Sequence, residues 1–411
     1  MAPSTLKRNI TLPFLVFYGV GTMVGGGFYA LMGKVADIAG MATPVAFAAT
    51  GILALVTALS FAELASRYPV SMGSARYVYE GYGRAWLSKL TGWLVIFSGI
   101  VSAAALVVAS AGFLNEMLAI NPVAGAILIV LIMVAVASWG IGEAVAVVTV
   151  ITAVEVLALL YIFAANIDSL GEFPARWPEV LAIAGPAQFN WMAITAGSFL
   201  AFYAMIGFED MVTLAEEVKD VRRVLPKAIV ASILITTLLY VGVSMVAVLS
   251  LDAKRLADSA TPLAELVRDR GRFAAFGIWL VSLITGLNGA LVQFIMAARV
   301  AYGMARSGQA PKWLGKIGHR TRTPVRATLA AGGIALLLAL SLPLTPLAKI
   351  TSALLLVVFA LVNLALWRVK GRDAQVGNTS NGLSIWRWVP LAGFTVSVLM
   401  LCFQAWYELF R

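Results

Sequence analysis

The chain has 411 residues, of which 61% are hydrophobic and only 12% charged, against roughly 25% charged in an ordinary soluble domain. A single cysteine, Cys402, and a single histidine, His319, exclude an internal disulfide, a cysteine-based metal site and a histidine cluster within this chain. The net charge of +10 would favour nucleic acid in a soluble protein; here the loops of a membrane protein account for it, and no nucleic-acid partner, metal or cofactor is expected.

Apolar runs recur from end to end, each long enough to cross a bilayer of about 30 Å. Eleven spans are expected, at 11–40, 43–66, 86–114, 122–140, 144–166, 190–214, 228–250, 273–303, 326–343, 346–368 and 388–410. Lys7 and Arg8 precede the first run like a signal peptide, but the run continues with no cleavage pattern and is read as a retained span. Only Pro343 and Pro346 divide the ninth span from the tenth. No segment between spans is long enough for a soluble domain, so 1–411 reads as one transmembrane domain in the lipid bilayer.

Span one holds Gly19, Gly21, Gly25, Gly26, Gly27 and Gly33 within fifteen residues. Each glycine costs about 1 kcal/mol relative to alanine in a helix interior. In lipid a broken helix survives only where its freed backbone groups are buried in protein or line a cavity. The run therefore predicts a break whose N–H and C=O groups face a ligand. Close helix packing is the competing account, but six glycines exceed what one contact needs. A nucleotide fingerprint at Gly19 to Gly21 would require a preceding strand, which a membrane span does not allow.

Glu63 lies four residues before Arg67 near the end of span two, a spacing that suits a helix ion pair. Glu155 sits in the middle of span five, with Thr152 and Thr149 at three-residue steps on roughly the same face. An ionisable group at that depth costs about 2.5–3.5 kcal/mol on insertion scales and is a functional candidate by default; Glu155 is suited to binding and releasing a proton. Span six carries Gly197, Ser198 and Gly207, a weaker interruption than that of span one, followed by Glu209 and Asp210. Glu216 and Glu217 precede the basic stretch Lys219–Lys227 and are expected to pair with it or face solvent. Asn288 and Gln293 are polar within span eight, and His319 reads as a solvated loop residue.

With the N-terminus in the cytoplasm, 21 of the 30 Lys and Arg fall on inside segments, which fixes that orientation and places Arg411 outside. The long loops, at 67–85 inside and 251–272 outside, lie five spans apart on opposite faces. An inverted repeat of five plus five helices produces this pattern. Repeat one covers about 11–166, repeat two about 190–368, and 388–410 is an extra helix. In such a repeat spans one and six correspond, and paired interruptions there point to a transporter site.

The Gly19–Gly33 run resembles the first-helix signature of the amino acid–polyamine–organocation superfamily of transporters. Phe61–Pro69 with Gly73–Tyr79 is similar to its second-helix signature, Gly207–Glu217 with Arg222–Ile229 to its sixth, and Arg299–Arg306 with Pro311 and Thr323-Pro324 to the end of its eighth. The motifs occur in the family's order and cover about 15–330. Most members have twelve spans; the one not found lies outside the core and bears on oligomer contacts.

The resemblance implies an all-α, LeuT-like fold with broken helices one and six. Spans 1, 2, 6 and 7 would rock against spans 3, 4, 8 and 9. It implies an amino acid or related amine as substrate. Unpaired N–H groups and partial positive charge at a half-helix N-terminus suit a carboxylate, and the family places that contact at Gly25, Gly26 and Gly27. Carbonyls freed near Phe202, Met205 and Ile206 suit the ammonium group, with Phe28 and Phe202 around the substrate side chain. Glu209 falls where the family often has an acid tied to gating or proton coupling, and Asp210 is beside it. Where Glu155 stands much of the family has a lysine, so a lysine mechanism does not carry over.

The expected function is proton-coupled symport of an amino acid across the plasma membrane, bacterial inner membrane above all, with an exchanger lacking net proton coupling as the alternative. The absence of an acid devoted to a basic side chain favours neutral substrates. A channel would need a continuous polar stripe or ring of charges, an enzyme a catalytic cluster, and a receptor has no need of the broken helix.

Overall fold

The computed structural model describes residues 10–69, 73–139, 145–183, 190–215, 217–318, 323–376 and 383–410. Among these residues the only β pairing is one isolated parallel bridge between Ile10 and Val218. The α-helices are α1 Leu12–Val24, α2 Gly26–Ala39, α3 Thr43–Arg67, α4 Gly73–Tyr82, α5 Ala85–Leu118, α6 Pro122–Trp139, α7 Val145–Ala165 and α8 Phe173–Val180. They continue with α9 Trp191–Ala201, α10 Val221–Ser250, α11 Ala253–Asp258, α12 Pro262–Glu265, α13 Arg272–Arg306, α14 Val325–Ser341, α15 Leu344–Val376 and α16 Trp388–Phe410. The chain is an all-α polytopic membrane protein.

Eight helical runs among the described residues are long and apolar enough to cross a membrane, nine if Val150–Ala165 and Ile167–Val180, bent by 52°, form one span. One of the eight, Gly26–Arg67, is 42 residues long. At 1.5 Å per residue it would extend about 63 Å, twice the hydrocarbon thickness. Gly40, at φ +56° and ψ −133°, leaves the helical region and separates α2 from α3. Leu12–Val24 and Val325–Ser341 are apolar but shorter. The described part of each expected segment lies mainly on helix; the smaller count reflects the two short helices, the joined run and the bent pair.

In lipid, helices gain little from hydrophobic burial against each other, so packing and hydrogen bonds hold the bundle. α3 packs along α10, α5 along α13 and α15, and α1 on α10 and α7. Small residues allow the approach: a Cβ on Gly393 of α16 would stand 2.6 Å from Asn363 Oδ1 of α15. Two aromatic groups fill the interior. Phe28 stacks on Tyr240 at 4.1 Å with Phe47 edge-on, while Phe61, Phe208, Phe202 and Phe359 interlock in edge and tilted pairs. Each such pair contributes about 0.5–1.5 kcal/mol.

The expected pair of Glu63 with Arg67 is present at 2.5 Å and belongs to a larger network. Glu63 is fully buried. Its oxygens also take Lys370 Nζ at 2.8 and 2.9 Å and the backbone N–H of Ile385 at 2.9 Å, while Arg67 reaches on to Asp373. One carboxylate thus ties the end of α3 to α15 and to the chain entering α16. Glu217, by contrast, makes no ion pair among the described residues; its carbonyl accepts from Ile10 N at 3.1 Å beside the β bridge. Glu216 and His319 lie outside the described residues.

Candidate functional site

The first break lies where the glycines place it. α1 ends at Val24 and α2 begins at Gly26, with Gly25 extended at ψ −179° between them. No side chain caps the N-terminus of α2, so its first N–H groups keep their positive pole for a ligand. The second break follows α9, which tightens into a 3-10 turn at Phe202–Met205 and leaves helical geometry at Ile206 and Gly207. Gly207 has φ +127°, and a Cβ there would stand 2.7 Å from the Thr22 carbonyl oxygen. Only glycine fits, for both reasons. A second 3-10 segment, Phe208–Leu214, continues the span.

The two breaks are joined to each other. Thr22 Oγ1 lies 3.2 Å from the Gly207 carbonyl. The buried Tyr240 hydroxyl, from α10, lies 2.7 Å from the Met23 carbonyl and 3.1 Å from that of Ala204. Glu209 Oε2 accepts from the N–H of Gly207 at 2.9 Å. Backbone groups released by both interruptions are therefore met by a few side chains, as a low-dielectric interior requires.

A cavity enclosing about 670 Å³, its mouth included, lies against these breaks. Its wall includes Tyr18, Thr22, Gly25, Gly26 and Gly27 from the first break, and Tyr203, Ile206 and Asp210 from the second. α5 supplies Ser102 and Leu106, α7 supplies Thr152, and α13 supplies Asn288, Gly289 and Gln293. A second cavity of about 660 Å³ shares Ser102, Ile206, Asp210 and Gln293 and runs past Glu209, Thr213 and Thr351 to Gly73 and Ser74 of α4. Among the described residues the two walls carry two carboxylates and no Lys, Arg or His.

Lys34 of α2 donates to the Ala257 carbonyl at the end of α11 at 2.5 Å. Glu116 of α5 accepts from Ser259 and Thr261 at 3.2 and 3.0 Å. The α11–α12 segment is thereby held on two sides.

Of the residues singled out from the sequence, Gly25, Gly26, Gly27, Ile206 and Asp210 meet on the central wall, and Glu209 and Asp210 on the second. Asn288 and Gln293 face the cavity as well. Phe28, Phe202 and Met205 do not. They are fully buried behind the wall, because neighbouring positions on a helical turn point to different sides. Phe28, expected beside the substrate side chain, turns to Tyr240, and Phe202, expected there too, turns to Phe359.

Tyr203 takes the place expected for Phe202. Its ring lies over Gly27, 3.2 Å from where a Cβ would be, and its hydroxyl is 3.0 Å from both Ser102 Oγ and the Ser102 carbonyl. Sequence reading missed it because position 202 and position 203 are both aromatic, and only the phase of the 3-10 turn decides which faces inward.

Glu155 lines neither cavity. It is buried on α7, and neither carboxyl oxygen has a hydrogen bond of ordinary geometry among the described residues. The Thr285 hydroxyl of α13 faces it. The Tyr29 hydroxyl of α2 donates to the Glu155 backbone carbonyl at 2.8 Å. Thr152, one turn earlier, reaches the cavity wall beside Gly21; the Thr149 side chain lies outside the described residues.

The family model described as amino acid permease matches residues 10–409. Cationic amino acid transporter 3, mitochondrial, of Arabidopsis thaliana is 30% identical over 388 residues, covering 89% of this chain and 63% of the relative. Cationic amino acid transporter 2, vacuolar, of the same plant is 33% identical, covering 87% of this chain and 59% of its own length. The chain thus spans about three fifths of these plant relatives. The branched-chain amino acid permease of Bacillus subtilis (strain 168) is 27% identical, covering 88% of this chain and 80% of its own.

Proposed function

Because the chain belongs to the amino acid permease family, we propose that it is a secondary active transporter of an amino acid across the plasma membrane, driven by protons. The observation that carries this reading is the pair of breaks at Gly25 and at Ile206–Gly207, both opening on one cavity. A zwitterion has two poles, and the breaks offer two kinds of backbone group. The α2 N-terminus, with Gly25, Gly26 and Gly27, takes the carboxylate. The carbonyl at Ile206 takes the ammonium group, with Asp210 adding negative charge from the wall. A wall with carboxylates and no basic side chain accepts neutral or cationic side chains and repels acidic ones. That widens the expectation of neutral substrates alone.

In this reading the ten core spans form two inverted repeats, about 11–166 and 190–368, with 388–410 added. The N-terminus is cytoplasmic, α4 lies on the cytoplasmic side, and the second cavity is the inner vestibule of an inward-facing state. Alternating access then requires the contacts of Lys34 and Glu116 to α11–α12 to open as the vestibule closes. Glu155 carries the proton and Glu209 gates the vestibule.

The reading is tested by uptake into proteoliposomes. Saturable accumulation of a labelled amino acid that follows an inward proton gradient is expected. Saturable exchange indifferent to the gradient would replace symport by an exchanger, and non-saturable flux would remove the transporter reading altogether.

A further inference from the structure

α15 separates its charges by face. On the inner face Lys370 and Asp373 are bound to Glu63 and Arg67. On the outer face Arg368 and Arg372, four residues apart, are exposed and take part in no ion pair within 4 Å among the described residues. They are held instead by groups of α4: Arg368 lies 4.8 Å over the Tyr82 ring, and Arg372 donates to the Glu80 carbonyl. Arg387, just before α16, lies 5.1 Å over the Trp367 ring, and one of its terminal nitrogens stands 3.1 Å from where a Gly371 Cβ would be. Trp367 and Gly371 form the row of α15 next to Arg368 and Arg372, so the third guanidinium adjoins the face of the first two.

These contacts position three guanidinium groups without neutralising them. A ring face or a carbonyl orients a cation and leaves its other N–H donors available. The flanking indoles of Trp386 and Trp388 are 74% and 59% exposed and lie 6.1 Å apart. Exposed indoles beside the end of one membrane helix and the start of the next stand at headgroup level. Three oriented forks with free donors match the oxygens of a phosphodiester, and the indoles match the glycerol and upper acyl region.

We propose that Arg368, Arg372 and Arg387, flanked by Trp386 and Trp388, bind the headgroup of an anionic phospholipid and fasten the α15–α16 junction to the membrane surface. Bound there, the lipid bridges α4, α15 and α16 across the three arginines that already touch them. Each arginine near such a surface raises affinity by about fivefold.

The test uses the full-length protein purified in neutral detergent. Brominated phosphatidylglycerol and brominated phosphatidylcholine are compared as quenchers of tryptophan fluorescence, for the native chain and for R387Q, R368Q/R372Q and the triple variant. R255Q, on the α11–α12 segment, is the control. The native chain and R255Q are expected to favour phosphatidylglycerol by tenfold or more. R387Q should lose about fivefold of that preference, and the triple variant should treat the two lipids alike. R387Q leaves both α4 contacts intact, so its result stands even if the triple variant does not fold. Equal quenching by both lipids in the native chain, or an undiminished preference in R387Q, would overturn the proposal. So would competition by sodium phosphate at the same phosphate concentration, which would make the site one for free anion.

Discussion

The phenolic hydroxyl of Tyr240 donates to the main-chain carbonyl of Met23 across 2.7 Å, in the last turn before the first helix break. The same oxygen is 3.1 Å from the Ala204 carbonyl in the turn before the second break. One side chain from α10 therefore serves both interruptions. Tyr240→Phe keeps the stack on Phe28 and removes the donor. A buried carbonyl left unsatisfied costs about 1–3 kcal/mol, so the variant is expected to melt several degrees lower and to lose transport more than its stability loss explains. A variant with native uptake would show that the breaks hold their geometry without this bond.

The glycines of the first break separate by what surrounds them. A Cβ on Gly25 would meet nothing nearer than 3.5 Å, at the Thr22 carbonyl. One on Gly26 would stand 2.8 Å from the Gly286 Cα and 2.7 Å from Leu106 Cδ2. Gly26 is thus both on the cavity wall and at a close crossing with α13, so packing and binding are not alternatives there. Gly25→Leu is expected to fold, to reach the membrane in native amount and to lose substrate binding by more than tenfold in a thermal-shift titration. Gly26→Leu should fail already at folding. A binding-competent Gly25→Leu would move the carboxylate contact away from this turn.

How much of this was legible in the sequence depends on the kind of signal. The break at Gly25 was legible because glycine weakens a helix that lipid otherwise keeps whole, the one at Gly207 chiefly through the resemblance, and Glu155 stood out as a candidate because a lone acid at that depth is costly. Asn288 and Gln293 could be singled out as polar side chains in an apolar run. The aromatic lining was not legible: Phe28 and Phe202 are apolar neighbours of wall residues, and their direction is set by the phase of a turn after a break. The partners of Glu63 were hidden too. Arg67 is four residues away, but Lys370 and Ile385 are more than three hundred residues distant and meet it only through the packing of α3 on α15.

That network carries its own expectation. Lys370→Met leaves the fully buried Glu63 with Arg67 as its one ion partner beside the Ile385 N–H, and removing one partner of a buried pair costs about 3–5 kcal/mol. Arg67 and the Ile385 N–H stay on Glu63, so the lower end of that range is expected. Glu63→Gln with Lys370→Met should recover part of the loss in a double-mutant cycle on melting temperature. Strict additivity of the two single changes would show that the pair is not coupled.

The orientation rests on 21 of 30 basic residues falling to one side. Reporter fusions are expected to be active in the cytoplasm when inserted near Gly83, and active outside when inserted near Gly271 or after Phe410. A cytoplasmic signal after Phe410 would mean that α14 and α15, parted only at Leu342–Pro343, cross as something other than two separate spans.

Glu155 is the sharpest case. Its carboxyl is buried between α7 and α13, no cation stands against it among the described residues, and its oxygens have no ordinary hydrogen bond. Neutral, such a group costs far less than ionised; ionised, it needs a donor or a cation brought by a change of conformation. Under the proposed coupling, the proton leaves in the state where a donor or water can reach the carboxylate and returns in the state where none can. Glu155→Gln keeps the size of the neutral acid and cannot titrate. It is expected to fold, to bind substrate within about threefold of native affinity and to exchange internal for external substrate. Accumulation should vanish. One pH unit is worth about 1.4 kcal/mol, a tenfold concentration ratio for one proton per substrate, and in proteoliposomes the variant should stay near a ratio of one at every imposed gradient. A variant that still reaches the native ratio would take Glu155 out of the coupling and leave Glu209, whose carboxylate caps Gly207 at the edge of the vestibule, as the group that carries the proton.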